Sequence, residues 1–328
     1  MPNTKHPFNE RARKDLILSL TSVLVNKVLT QKNTVEGKMS SGSSTAGFVT
    51  FFRACSYKEM EKRFRGPDYL AELFHFGRDR LFLHLSFLML PIVRRMLPGT
   101  YEWVVARTFF LDDQFRGPLE ENYDQIINLG AGFDSQSYRF ADMIGDTVVF
   151  ELDLPEPQRI KRELLEERGV LIPDNLRYVP IDFNTDDLLE KLKDAGFQED
   201  KRNLFIWEGV TEYLTEEAID STLAFIKHHS GKGTRIAFTY IYRSAVEDRK
   251  TFYGSKEIVD RVAKNGEPYQ YGIKENEIES FLTERGYSLV SHHTAEDLEK
   301  KYLTASDGKL YGRICGHNNI VVAEVMLG

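Results

Sequence analysis

Apolar residues recur at helical spacing through the first third of the chain. Leu16, Ile17, Leu20, Val23, Leu24 and Val28 share one helical face, which predicts an amphipathic helix over 16–29. The chain then turns polar from Gln31 to Gly47, and Ser40-Ser41-Gly42-Ser43-Ser44 reads as a loop leading into Thr45-Ala46-Gly47. Helical periodicity returns from Phe48 to Leu97, with Phe51, Phe52, Phe74, Phe76, Phe82 and Phe87 as core or pocket-lining candidates. Its longest apolar run, Leu81 to Val93, predicts a buried helix broken near Pro91. Pro98-Gly99-Thr100 marks a turn, and Tyr101 to Asp113 makes a further helix.

Beyond that helix the pattern changes to short apolar runs alternating with charged helical segments. Ile126, Ile127 and Leu129, then Thr147 to Asp153, Arg177 to Phe183, Asn203 to Trp207 and Thr234 to Tyr240 read as strands. Helices are expected over Glu156 to Gly169, Thr185 to Ala195 and Glu277 to Arg285. Tyr287 to Ser291 and Ile320 to Val325 are expected to form a terminal hairpin-like pair. Such alternation predicts an α/β fold with a doubly wound parallel sheet, which binds ligands at the carboxyl ends of its strands. The division that follows is a helical lid or substrate region over 1–115 and a ligand-binding core over 116–328.

The first strand runs into Gly130-Ala131-Gly132-Phe133-Asp134. Glycines there allow a sharp turn and close approach of a ligand, and the following helix offers free N–H groups. Dinucleotide binders and methyltransferases both use such a turn. Position 135 is Ser, so the third glycine of the dinucleotide fingerprint is missing. Asp134 beside the turn would repel a pyrophosphate, whereas the sulfonium and amino group of S-adenosylmethionine would tolerate it. The second strand ends in Glu151 and Asp153, 21 and 23 residues past Gly130, where a carboxylate can accept both ribose hydroxyls. The third ends in Asp182 and Phe183, suited to the amino group and ring of adenine, and Glu208 follows the fourth. Gly130, Asp153, Asp182 and Glu208 thus mark one edge of the sheet.

Three motifs in order, Asn128-Leu129-Gly130-Ala131-Gly132-Phe133-Asp134, Phe150-Glu151-Leu152-Asp153-Leu154-Pro155 and Trp207-Glu208-Gly209-Val210-Thr211-Glu212-Tyr213-Leu214, resemble the leucine carboxyl methyltransferase superfamily. Their form is closest to its bacterial S-adenosylmethionine-dependent O-methyltransferase branch linked to polyketide biosynthesis. The resemblance runs from about residue 45 to the C-terminus. It implies a seven-stranded class I methyltransferase sheet, Rossmann-like, with an antiparallel last strand and an N-terminal helical lid. It also implies S-adenosylmethionine as cofactor, bound by Gly130, Gly132, Asp153, Asp182, Phe183 and Glu208, with Arg107 holding the methionine carboxylate and Thr45 close to the cofactor. The Arg-Gly pair expected before Arg107 is replaced by Tyr101-Glu102. Read as structure alone, Glu208 would cap the helix beginning near Thr215.

Composition narrows the partners. With 41% apolar residues among 328 the chain is globular, and 50 acids against 43 bases argue against a general nucleic-acid or membrane-surface binder. Cys55 and Cys315 form no CxxC, so no metal site is expected and a reducing cytoplasmic setting fits. A methyl sulfonium is already activated, so alignment and exclusion of water suffice. A carboxylate acceptor needs no base, whereas a phenol would draw on one, with His292, His293 and His317 as candidates. Tyr240 and Tyr242 are candidates to face the acceptor. The expected activity is O-methylation of a small-molecule acceptor such as a polyketide-like carboxylate. Methylation of a protein C-terminal carboxylate, an NAD-dependent oxidoreductase and a non-catalytic cofactor-binding regulator are the alternatives.

Overall fold

The structure, a computed structural model, describes residues 43–75, 77–120, 123–183 and 185–326. The helix expected over 16–29, the loop residues before Ser43 and Phe76 lie outside the described residues. The described chain opens with helix α1 (Ser43–Tyr57), two 3-10 turns (Lys62–Phe64 and Ala71–Phe74), α2 (Gly77–His84), α3 (Ser86–Met96) and α4 (Thr100–Glu120). The segment from Ser43 to Gly47, expected as loop, is instead the start of α1. Hydroxyl residues are tolerated in a first helical turn, and the buried Phe51, Phe52 and Cys55 further along supply the apolar face that holds the helix down.

The run 81–93 differs from expectation in two ways. The break falls at Leu85, between α2 and α3, and Pro91 lies inside α3. Pro91 is exposed, so the carbonyl its ring deprives of a partner can turn to water. The run is also not wholly buried: Leu83, Met89, Leu90 and Val93 face the core, whereas Leu81, Phe87 and Leu88 are exposed.

Strand and helix then alternate: β1 (Gln125–Leu129), α5 (Gln136–Arg139), α6 (Ala141–Ile144), β2 (Val148–Asp153), α7 (Pro155–Glu167), β3 (Leu176–Pro180), α8 (Leu188–Asp194), β4 (Asn203–Trp207), α9 (Glu216–His228) and β5 (Arg235–Ile241). Helices α10 (Arg243–Glu247), α11 (Ser255–Lys264) and α12 (Ile278–Glu284) precede β6 (Tyr287–Thr294), α13 (Ala295–Tyr302) and β7 (Asn318–Val325). The sheet order is β3-β2-β1-β4-β5-β7-β6. Strands β1 to β5 are parallel, and β7 runs antiparallel to both β5 and β6. Strand order reverses between β1 and β4, which opens a crevice at their carboxyl ends.

Side chains alternate across the sheet. Ile126, Val149, Leu204, Ile206 and Val322 pack with Phe52, Tyr101 and Phe110 of the N-terminal helices. Ile127, Phe150, Phe205, Trp207 and Val321 pack on the opposite face with Leu192, Leu223 and Leu282 of α8, α9 and α12. Both faces are therefore covered, as the continuous apolar strands require. Residues 43–115 share their core with the sheet, and α4 runs unbroken across 115 and 116.

Candidate functional site

The crevice begins at the turn after β1. Gly130 and Gly132 have φ of +75° and +48°, and a Cβ on Gly130 would stand 2.8 Å from Val210 Cγ2. A side chain there would need Val210 to shift and a strained backbone, so glycine keeps the turn open to a ligand. Gly130 and Ala131 donate N–H bonds of 2.9 and 2.8 Å to Leu152 O, which ties the turn to β2. Asp153, at the end of β2, accepts from Gly132 N at 2.5 Å and from Leu154 N at 2.7 Å. Burial raises its carboxyl pKa, and those two amides oppose the rise.

Asp134 is less available than its sequence position suggests. Its carboxylate accepts from Ser135 N at 2.7 Å and Asn128 Nδ2 at 2.8 Å, and Arg53 Nη1 lies 3.6 Å away. Arg53 also donates to Phe133 O at 2.6 Å and pairs with buried Asp68 at 3.3 Å. Asp134 thus fixes the turn to α1, and its charge is met by Arg53, so it does not carry the argument against a pyrophosphate. Glu151 is likewise structural, since it pairs in the core with Lys161 at 2.6 Å and accepts from Ser137 at 2.7 Å.

Arg107 reaches across from α4, with its Nε 2.6 Å from Glu208 Oε1 and its guanidinium 5.5 Å from the Trp103 ring centre. Glu208 does not cap α9; Thr215 does, accepting from Ala218 N. Asp182 follows β3 by two residues, and Phe183 stands 39% exposed beside it. Arg107, Gly130, Gly132, Asp153, Asp182, Phe183 and Glu208 all line one cavity of about 590 Å³. A doubly wound sheet makes this convergence possible, because every parallel strand delivers its terminal residue to the same edge.

Apart from His317, most of the remaining wall was not legible in the sequence. Phe48 and Trp103 come from α1 and α4, Ile258, Arg261 and Val262 lie on α11, and Asn265 follows its end. Tyr269, Gln270, Cys315 and His317 come from the loops after α11 and before β7. The spacing of Ile258, Val259 and Val262 could have signalled an amphipathic helix, but not that it faces a ligand.

Of the three candidate histidines only His317 lines the cavity. It is fully buried with Nδ1 2.9 Å from Ser255 Oγ, and burial pushes its pKa down to about 3. His292 instead stacks on Tyr240, its Nε2 2.9 Å from the tyrosine hydroxyl, and His293 packs on Phe110. Tyr240 and Tyr242 do not line the cavity either: the hydroxyl of buried Tyr240 meets His292 of β6, and Tyr242 stacks on Phe252. Among the described residues no helix is long and apolar enough to cross a membrane.

Seven strands in this order, one of them antiparallel, with a cavity over the crevice between β1 and β4, define the class I methyltransferase fold. Two solved structures share it: a Thermobifida fusca protein provisionally named a methyltransferase, and a DUF574 family protein from Streptomyces avermitilis. The first superposes with a TM-score of 0.59 at 15% identity over 90% of this chain and 100% of its own. The second does so with 0.56 at 14% over 84% and 96%. The model of the leucine carboxyl methyltransferase family matches residues 49–227, more than half of the chain. The chain belongs to that family and is an S-adenosylmethionine-dependent methyltransferase. Among its relatives, Bacillus subtilis YktD is 28% identical over 200 residues, 61% of this chain and 66% of its own. A Mycolicibacterium paratuberculosis protein is 29% identical over 222 residues, 65% and 70% of the two chains. Both carry the provisional name of S-adenosylmethionine-dependent methyltransferase. The matched family span ends within α9, so the α11 wall of the cavity lies beyond it.

Proposed function

We propose that the chain transfers a methyl group from S-adenosylmethionine to an oxygen of a small molecule, with a carboxylate of a polyketide-like metabolite as the acceptor. The cavity fits the cofactor through the groups it holds: a glycine turn with left-handed φ at 130, acids at the ends of β2, β3 and β4, and an arginine facing the last of them. In this reading Gly130 and Gly132 let the backbone approach, Asp153 accepts the ribose hydroxyls, and Asp182 with Phe183 takes the adenine. Arg107 holds the methionine carboxylate, and Glu208 accepts from the amino group beside it. The cofactor supplies an activated methyl group on a sulfonium. Helices α1 and α4, which line the cavity, form the lid that excludes water from it.

One observation favours a carboxylate acceptor: burial pushes the pKa of His317, the one histidine among the cavity-lining residues, down to about 3, which makes it a poor base near pH 7. A carboxylate arrives already ionised and needs no base. The apolar half of the wall, with Phe48, Trp103, Ile258 and Val262, suits a largely hydrocarbon acceptor. Cys55 and Cys315 are buried free thiols, which supports a reducing cytoplasmic setting.

The test uses S-adenosylmethionine labelled on the methyl group and a panel of small carboxylic acids, phenols, amines and a leucine-ended peptide. Methyl esters release methanol in alkali, whereas methyl ethers and methylamines do not. Alkali-labile label on small acids is the expected result. Stable label on phenols or amines overturns the carboxylate reading, and label on the peptide alone moves the activity to protein C-termini.

A further inference from the structure

Glu212 has no place in the cofactor scheme above, yet it is a buried acid of the cavity wall. It sits on the 3-10 turn Thr211–Tyr213, four residues past Glu208, and is only 8% exposed. Its backbone carbonyl accepts from Gln270 N at 2.7 Å, which locks the turn to the loop after α11. Its carboxylate accepts from its own backbone N–H and lies 3.5 Å from Thr211 Oγ1. Both Glu208 and Arg107 act on it electrostatically, and burial raises its pKa.

The charges at this end of the cavity do not balance. Arg107 and Glu208 pair at 2.6 Å, and Glu212 is a further acid beside that pair, in a wall that holds six acids against three arginines. An S-adenosylmethionine methionine end carries a carboxylate, an ammonium and a sulfonium, one positive charge in sum. In transfer, an acceptor oxygen lone pair forms the new O–CH3 bond while the electron pair of the C–S bond stays on sulfur. The sulfonium becomes a neutral thioether, and the methionine end of the product is neutral overall. In a site shielded from water such a unit difference is strongly felt.

We infer that Glu212 is the residue that reads the sulfonium charge, favouring S-adenosylmethionine over S-adenosylhomocysteine and easing release of the spent cofactor. The inference rests on the placement of the methionine end at Arg107 and Glu208 proposed above. Glu212 is a positioning and discriminating residue, since no contact of it with reacting atoms is needed.

Calorimetric titration of the wild type, Glu212→Gln and Glu212→Asp with both cofactor forms tests it without any acceptor. The expected result is about tenfold weaker binding of S-adenosylmethionine by Glu212→Gln, unchanged binding of S-adenosylhomocysteine, and recovery of the preference in Glu212→Asp. Retained product binding shows that the variant is folded. Equal weakening of both forms assigns Glu212 to the ammonium and overturns the inference, as does an unchanged ratio. A wild type that binds neither form sinks the cofactor site itself, whereas normal wild-type binding with an unmoved ratio sinks this inference alone.

Discussion

Replacing His317 by Asn should remove a defined part of the acid sensitivity of the fold. His317 is fully buried, and its pKa of about 3 lies far below the ~6.5 of an exposed imidazole. Above pH ~6.5 both folded and unfolded forms are neutral at this site, and its contribution is complete. As the pH falls, the unfolded chain takes up a proton that the folded chain refuses. Stability is therefore lost from about pH 6.5 down to about pH 3, where the folded imidazole protonates as well. At pH 5 the loss is about 1.5 pH units at 1.36 kcal/mol each, or about 2 kcal/mol. Asn can keep a polar atom near Ser255, now 2.9 Å from His317 Nδ1, and cannot titrate. His75 is also buried, with a pKa of about 4, so the slope of one protein is not diagnostic. The assay is urea unfolding of both proteins at pH 7.5 and pH 5, compared as a double difference at constant m-value. A pH-dependent gap of about 2 kcal/mol in favour of the variant is expected. An identical fall for both proteins would refute the reasoning, because His317 would then titrate normally in the folded chain.

Other perturbations separate functional from structural acids. Asp153→Ala should weaken S-adenosylmethionine binding at least about tenfold by calorimetry, since hydrogen bonds to a charged group are each worth about 1.5–3 kcal/mol; unchanged affinity removes Asp153 from the site. Gly130→Val should abolish binding while far-UV circular dichroism stays native, because its side chain would enter the space of Val210 Cγ2 at a φ of +75°. Lys161→Met should cost about 3–5 kcal/mol by urea unfolding, by leaving Glu151 buried without its cation. Adding Glu151→Leu should restore most of that loss, and a single variant of wild-type stability would contradict the structural role given to this pair.

Much of this site was legible because a parallel sheet converts sequence order into spatial order. Gly130, Asp153, Asp182 and Glu208 each follow an apolar run, and runs of that kind in alternation with helices can only deliver them to one edge. Burial state was harder to read. Asp134 and Glu151 look as available as Asp153 in the sequence, yet one is met by Arg53 and the other by Lys161, partners 81 and 10 residues away in the chain. The α11 wall was missed because amphipathic spacing shows that a helix has a buried face without showing what it faces. Pro91 misled the placement of the helix break, since an exposed proline can sit inside a helix when water takes the freed carbonyl. His292 and His317 cannot be told apart by position near the last strands; only the packing puts one against Tyr240 and the other in the cavity.

The central claim is that the glycine turn after β1 and the acids at the strand ends hold S-adenosylmethionine. Parallel calorimetric titration of the wild-type protein with S-adenosylmethionine, S-adenosylhomocysteine and NAD tests it most directly. Micromolar binding of the first two, lost together in Gly130→Val, and no binding of NAD are the expected results. Binding of NAD, or binding of S-adenosylmethionine that survives unchanged in Gly130→Val, would contradict it.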